Sequence, residues 1–443
     1  MNSWLSRVVV PLGIALSILT LQPSRSDASR LKLVVGGPEF RPFPVAVPKV
    51  EVSGGVKTEG DKLAPKITAR LRESVKIARS LELLPPGSYL ASVNDTLSAP
   101  VYRNWLNIGA SGLFRTSVEV RQSKARISFR FFDIVSQKAL LAKSYDVNSA
   151  NSDQAIFAFL DEVIALLTGE TGVFSSKIVY VKQTKAGRAL YTSDIGGGTE
   201  RRLTEPSATS VLPEWGPNGD SVLFTSYLRS NPDLYHLDLK TKELKWLSNK
   251  RGLNMGAALS PDGTTVAFTL SIDGNTEIYK MNLDGSKLTR LTNSWGLDVS
   301  PSWSHDGQKI SFVSSRSGKP HIYVMNADGS ATRRLSFRGN YNQEPDWSPR
   351  PGGKIAFCAR DERLRYDIFL LDPSNGEIER LTQDQGDNES PSFSPDGHHI
   401  VFTSTRQTGR KRLWIMDADG RNPRMISSGS GVYETPSWGP RLR

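Results

Sequence analysis

Four carboxylates in the second half of the chain have the spacing to do chemistry together. Asp298 in SWGLDVSP, Glu344 in GNYNQEP, Glu389 in GDNESP and Glu434 in GVYETP each lie a few residues before an aromatic residue that begins a turn. Carboxylates gathered at one rim support two kinds of function. A pair of them can serve as acid and base on a saccharide, in a glycosidase or a lyase. Alternatively, a focused negative patch can receive a basic peptide or a cation. Trp295, Tyr341 and Tyr433 occupy the same segments, and aromatic side chains are enriched where proteins dock.

Other constellations are weak. The chain has no Gly-x-Ser-x-Gly elbow, and its histidines, His236, His305, His321, His398 and His399, lack ligand spacing. Neither a metal site nor a cofactor is expected, and no catalytic residue is assigned. His398 and His399 follow the Asp-Gly of SPDGHHIVF and are expected to be exposed turn residues. IGGGTE (Ile195–Glu200) has the composition of a phosphate loop but falls where other repeats carry NLDGSK, so it is expected to be a hairpin turn. Cys358, the single cysteine, lies on an apolar strand, KIAFCAR, and is expected to be buried packing. The net charge of +11 is dilute: about +1 in the first 29 residues, about +5 in residues 30–175 and about +5 in residues 176–443. No basic run marks a nucleic-acid groove.

The elements that must position the four acids follow from a repeat. Aligned on the aromatic residue, LPEWGPNG (Trp215), GAALSPDG (Leu259), SPSWSHDG (Trp303), EPDWSPRPGG (Trp347), SPSFSPDG (Phe393) and TPSWGP (Trp438) are 44, 44, 44, 46 and 45 residues apart. A period in the forties with several short strands per unit is the signature of a four-stranded propeller blade. Each unit runs from an aromatic strand through a Gly turn to alternating strands such as KISFVS and HIYVMN, ending on RLT or RLS. The aromatic residue is expected to be a knob between adjacent blades. The first set of outer strands (Lys177–Thr204) lacks an aromatic strand before it, and the last aromatic strand (Glu434–Pro440) lacks a set after it. Pairing these orphans predicts a six-bladed ring latched by its C-terminal strand, with no open edge. The links carrying the acids then ring one mouth of the channel.

Residues 29–170 do not repeat and predict a small α/β domain before the propeller of residues 171–443. Strands are expected at Arg30–Val35 and Phe43–Val52, a helix at Ala64–Leu84, a short helix in VYRNWLNIGA, a strand meander from GLFRTSVEV to SYDV, and a helix at Ser152–Gly169. Before this lies a basic residue, Arg7, and the apolar run Val8–Leu21, too short to span a bilayer comfortably. It predicts a signal peptide over residues 1–28 with cleavage after Ala28, or alternatively after Ser26, and an exported protein. With no cysteine after the apolar run, no lipid anchor is expected.

These motifs together resemble the TolB family, the periplasmic component of the Tol–Pal envelope system. The resemblance runs nearly end to end and rests on RPFPVAVP (Arg41–Pro48), GLFRTSVEV, FFDIVSQKALLAKSYDV and LTGETGVFSSKIVYV (Leu167–Val181) ahead of the SPDG repeats. It implies a monomeric, non-enzymatic adaptor in the periplasm, held at membranes only through protein partners, that supports outer-membrane integrity at division. It implies that the propeller mouth receives the lipoprotein Pal. The matching positions are Leu253, Asn254, Trp295, Asp298, Tyr341, Glu344, Glu389, Tyr433 and Glu434. It also implies that the mature N-terminus binds TolA, through Ser29, Arg30, Leu31, Lys32, Leu33, Val34 and Val35. Three features depart from the family pattern: Leu259 where an aromatic is usual, Leu253 where a polar or histidine residue is common, and the longer SPRPGG turn. The contrasting expectation is a periplasmic propeller lyase or glycosidase acting through the acidic mouth.

Overall fold

The computed structural model describes residues 41–90, 97–122, 124–360 and 362–441. The expected signal peptide, the strand Arg30–Val35 and the segment Ser29–Val35 lie outside the described residues.

The N-terminal part is a mixed sheet covered by two helices. Strands β1 (Phe43–Ala46), β2 (Glu51–Gly55), β3 (Leu81–Leu83), β4 (Gly112–Arg121), β5 (Lys124–Asp133) and β6 (Lys138–Asn148) lie in the order β3-β1-β4-β5-β6, with β2 also on β4. The expected strand Phe43–Val52 is therefore two strands, interrupted at Val47–Val50. Helix α1 (Lys57–Ile77) starts earlier and ends earlier than the sequence pattern predicts. Its buried stripe, Leu63, Ile67, Leu71 and Val75, extends upstream of Pro65. At Ala78 the backbone turns extended, and Leu81, predicted to be helical, pairs with Phe43 in β3. A short helix α2 (Tyr102–Asn107) follows, and α3 (Ser152–Thr168) stops at Gly169 in the left-handed conformation, at φ +80°. Phe159 of α3 stacks on Phe129 of β5 with ring centroids 4.8 Å apart, fixing helix to sheet.

The remainder is six four-stranded sheets. Numbering blades by their inner strands gives Ser210–Trp215, Asn254–Leu259, Asp298–Trp303, Asn340–Trp347, Asn388–Phe393 and Val432–Arg441. Blade 6 pairs that last strand with Ser176–Thr184, so both chain ends of the ring share one sheet and the predicted latch is present. The aromatic knobs sit in cores shared by two blades: Trp303, for example, belongs to one cluster with Ala258, Ala267 and Ile278 of blade 2 and Ile310 and Phe312 of its own blade, and its Nε1 donates to the carbonyl of Ala258 at 3.0 Å. Cys358 is buried in the cluster joining blades 4 and 5, with Phe393 and Trp414.

The repeated turns and RLT ends have local causes. Asp262 and Asp306 accept the main-chain N–H two residues on and a hydroxyl from Ser260 or Ser304, which closes the turn. The hydroxyls of Thr292, Ser336, Thr382 and Ser427 accept an N–H from the third strand, so each RLT or RLS ends its blade by satisfying a main-chain donor. IGGGTE is a turn as expected, with Asp194 accepting from Gly196 and Gly198.

Because neighbouring strands within each blade are antiparallel, the links between blades and the second hairpins all emerge at one end. The Asp-Gly turns emerge at the other, where the α/β part sits. There Arg70 of α1 bonds Asp194 at 2.6 Å and Arg79 bonds Asp419 at 2.8 Å. His398 and His399, expected to be exposed, belong to this contact. His399 is buried and donates from Nε2 to the carbonyl of Ile77 at 2.9 Å, and His398 lies between Glu170 and Arg350. Covering of their turn by α1 and the end of α3 is the reason.

Candidate functional site: the propeller mouth

A shared irregularity of the inner strands shapes the mouth. Three residues before each knob the backbone adopts positive φ: Leu212 +50°, Gly256 +60°, Ser300 +54°, Glu344 +55°, Ser390 +51° and Thr435 +43°. The pairing register shifts at the same place in all six blades. The result is a bulge that turns the following Pro or Ala and its successor toward the axis. These residues line a channel cavity of about 130 Å³. Above it lies a vestibule of about 640 Å³, bordered by Arg188, Tyr227, Met255, Glu389, Lys411 and Glu434.

The bulge also decides what the four acids do, and they do not form one negative rim. Asp298 stands five residues before its knob, Glu389 and Glu434 four, and Glu344 three, so they occupy three different environments. Asp298 is fully buried and paired with Arg316 at 2.6 Å, and burial still pushes its carboxyl above the usual range. Glu344 points into the channel wall, where it accepts from Ser390 N at 2.8 Å, Ser390 Oγ at 3.0 Å and Cys358 Sγ at 3.3 Å. Burial raises its pKa as well. Glu389 and Glu434 do reach the rim, but Lys411 lies 2.5 Å from the first and 4.0 Å from the second, with Arg188 3.5 Å from Glu434. Despite burial, these carboxylates hold the Lys411 ammonium above the ordinary lysine range.

Three further predicted positions are framework. Asn254 is fully buried, accepts from Ser248 and Lys250, and donates to the carbonyls of Lys250 and Gly252, which shapes the link into blade 2. Tyr433 is buried between Tyr180 and the ammonium of Lys182. Leu253 is half-buried and donates its N–H to Ser271 Oγ.

The surface itself is aromatic and basic. Trp295 is 78% exposed although its main chain is held from several sides. Asn275 donates to the carbonyls of Ser294 and Gly296, Ser294 N–H donates to Glu277, and Leu297 N–H donates to Ser315. A Cβ on Gly296 would meet Arg316 N at 2.4 Å, so only glycine lets this loop lie so close. Tyr341 and Leu297 are also exposed, and so is Phe337, which the sequence reading missed. Arg334 covers one face of Phe337 at 4.9 Å and Arg360 one face of Tyr341 at 5.2 Å. Aligning the links would not have found Phe337, since it stands ten residues before its knob and Trp295 eight before its own.

Two channel acids were also missed. Glu214 and Asp346 stand immediately before their knobs, where other blades carry Ser302, Ser392 and Ser437. Those serines accept the N–H of the next blade's knob: Ser302 from Trp347, Ser392 from Trp438 and Ser437 from Trp215. Asp346 does the same for Phe393 at 2.7 Å. Burial pushes the Asp346 carboxyl up to about 7, and burial together with Asp346 pushes Glu214 up to about 8.

With this geometry in hand, comparison with known proteins is decisive. The TolB beta propeller domain model matches residues 164–442 and the TolB amino-terminal domain model matches residues 31–140. The chain belongs to the TolB family. A Tol-Pal system protein TolB from Anaeromyxobacter dehalogenans strain 2CP-1 is 35% identical over 97% of this chain and 98% of its own. That of strain 2CP-C is 36% identical over 98% and 99%. A crystal structure of TolB from Acinetobacter baumannii superposes with a TM-score of 0.78 at 25% identity, covering 90% of this chain and 97% of that one. The propeller mouth described above is at the end of the ring away from the α/β part. No helix among the described residues is long and apolar enough to cross a membrane.

Proposed function

We propose that this chain is a periplasmic adaptor without enzymatic activity, exported by its first 28 residues, that binds Pal at the propeller mouth and TolA through Ser29–Val35. The observation that carries the mouth assignment is the rigidly held, outward-facing Trp295, with Tyr341 and Phe337 on the neighbouring link. Exposed aromatics on a fixed frame are what protein docking sites use, because little side-chain entropy is lost on binding. Binding at one site biasing the other would make the pair a population shift between two sites. An acid–base enzyme is the weaker reading here, since Glu389 and Glu434 are engaged by Lys411 and Glu344 by Ser390 and Cys358.

The test is capture from detergent-solubilised envelopes. The wild-type chain should retain Pal and TolA. Trp295→Ala with Phe337→Ala should lose Pal alone, and deletion of residues 29–35 should lose TolA alone. Failure of the wild type to retain either protein would overturn the adaptor reading.

A further inference from the structure

The mouth carries an imbalance of charge that says what kind of surface it meets. Described carboxylates in the inter-blade links and second hairpins are all in ion pairs: Glu205 with Arg202, Asp273 with Arg290, Glu362 with Arg380, Asp384 with Arg363, and Asp387 with Arg365. The cations of the same segments are in excess. Lys185, Lys250, Arg251, Lys319, Arg338 and Arg410 are exposed and have no carboxylate within ion-pair distance among the described residues. They are spread around the rim, on the hairpins of blades 3, 5 and 6 and the links into blades 2 and 4. Spare positive charge thus sits on the same end of the ring as the exposed side chains Trp295, Leu297, Phe337 and Tyr341, which the links into blades 3 and 4 carry.

We propose that the mouth recognises an acidic protein segment that carries an apolar side chain, the apolar group meeting the Trp295 and Phe337 shelf and the acidic groups meeting the spare arginines and lysines. This rests on the reading of the mouth as a docking face and reverses the basic-peptide expectation drawn from the four acids. Complementary charge chiefly speeds encounter and rejects wrong partners, while buried aromatic contact slows release. The rim also encloses a concave vestibule of about 640 Å³ lined by Tyr227, Met255 and Lys411, which a protruding chain segment can enter and the plane of an anionic bilayer cannot.

Two probes test this on the full exported chain. The first is the soluble domain of Pal, measured from about 0.05 to about 0.3 M salt, a range over which the screening length falls through roughly 8–10 Å. Affinity should fall about tenfold or more with salt, and by a similar factor in the triple variant Arg251→Glu, Arg338→Glu, Arg410→Glu. Binding that is tight but indifferent to both would overturn the charge inference while leaving the Pal assignment standing. The second probe is a set of synthetic peptides of equal length with negative, zero or positive net charge, each with and without one Trp. Preference for the acidic Trp peptide, lost in the triple variant, supports the inference even if Pal does not bind. Equal binding of all peptides overturns it. So does sedimentation with phosphatidylglycerol vesicles in the absence of any peptide preference, which would assign the face to a membrane.

Discussion

At the scale of single residues, the channel acids give the clearest energetic statement. Burial disfavours the charged forms of Glu214 and Asp346 and pushes their carboxyls up to about 8 and about 7. Their folded-state pKa values lie above the roughly 4 expected of the unfolded chain. The folded state therefore holds protons that the unfolded state releases, and the resulting stability is full below about pH 4 and is lost as pH rises through about 7 to 8. Glu214→Gln with Asp346→Asn should flatten that decline and be more stable than wild type at pH 8.5 by on the order of 2 kcal/mol. Denaturant melts at pH 5 and 8.5 would show it. An identical pH dependence in both proteins would mean that the two carboxyls are ionised in the folded channel.

At the scale of elements, what was legible depended on whether one period governed the feature. The repeat fixed blade number, order and latch, because knobs such as Trp303 recur at a spacing that only a four-stranded unit explains. The acids were misjudged because a one-residue change of place on a strand with a bulge moves a side chain from rim to channel to core. Asp298, Glu389 and Glu344 differ by single positions and share nothing else. Spare charge at the mouth was hidden for a related reason: pairing partners such as Arg365 and Asp387 are 22 residues apart and meet only across a folded link. The end of α1 was misplaced because Leu81 continues the helical stripe in sequence yet is better satisfied by pairing with β1. One contact between elements can be tested directly. Arg70 on α1 bonds Asp194 of blade 6 and Asp153 of α3 and lies over Phe157 at 4.9 Å. Arg70→Ala leaves Asp194 buried without its cation and should cost about 3 kcal/mol of stability. A melting temperature within experimental error of wild type would show that the bridge is dispensable.

At the scale of the whole molecule, the strand Val432–Arg441 joins three blades at once. It pairs with Ser176–Thr184 of blade 6, takes the N–H of Trp215 of blade 1 on Ser437, and donates from Trp438 to Ser392 of blade 5 at 3.1 Å. Trp438 also donates from Nε1 to Ser176 at 2.7 Å and packs in a core shared by blade 5 and the α/β part, with Leu413, Ile426, Ile67 and Phe157. Because this core runs across the boundary between the two parts, the ring and the α/β part should melt together. Truncation after Gly431 removes the latch and leaves the inner edge of Ser176–Thr184 unpaired, a state prone to opening of the ring and aggregation. The truncated chain should lose the single cooperative transition in calorimetry, whereas Trp438→Ala should keep it with a loss of about 3–5 kcal/mol. A synthetic peptide of residues 432–441 should restore the transition in the truncated chain by adding the missing strand. If the truncated chain melts as wild type does without the peptide, the ring is held by blade-to-blade packing alone and the latch contributes only its own contacts.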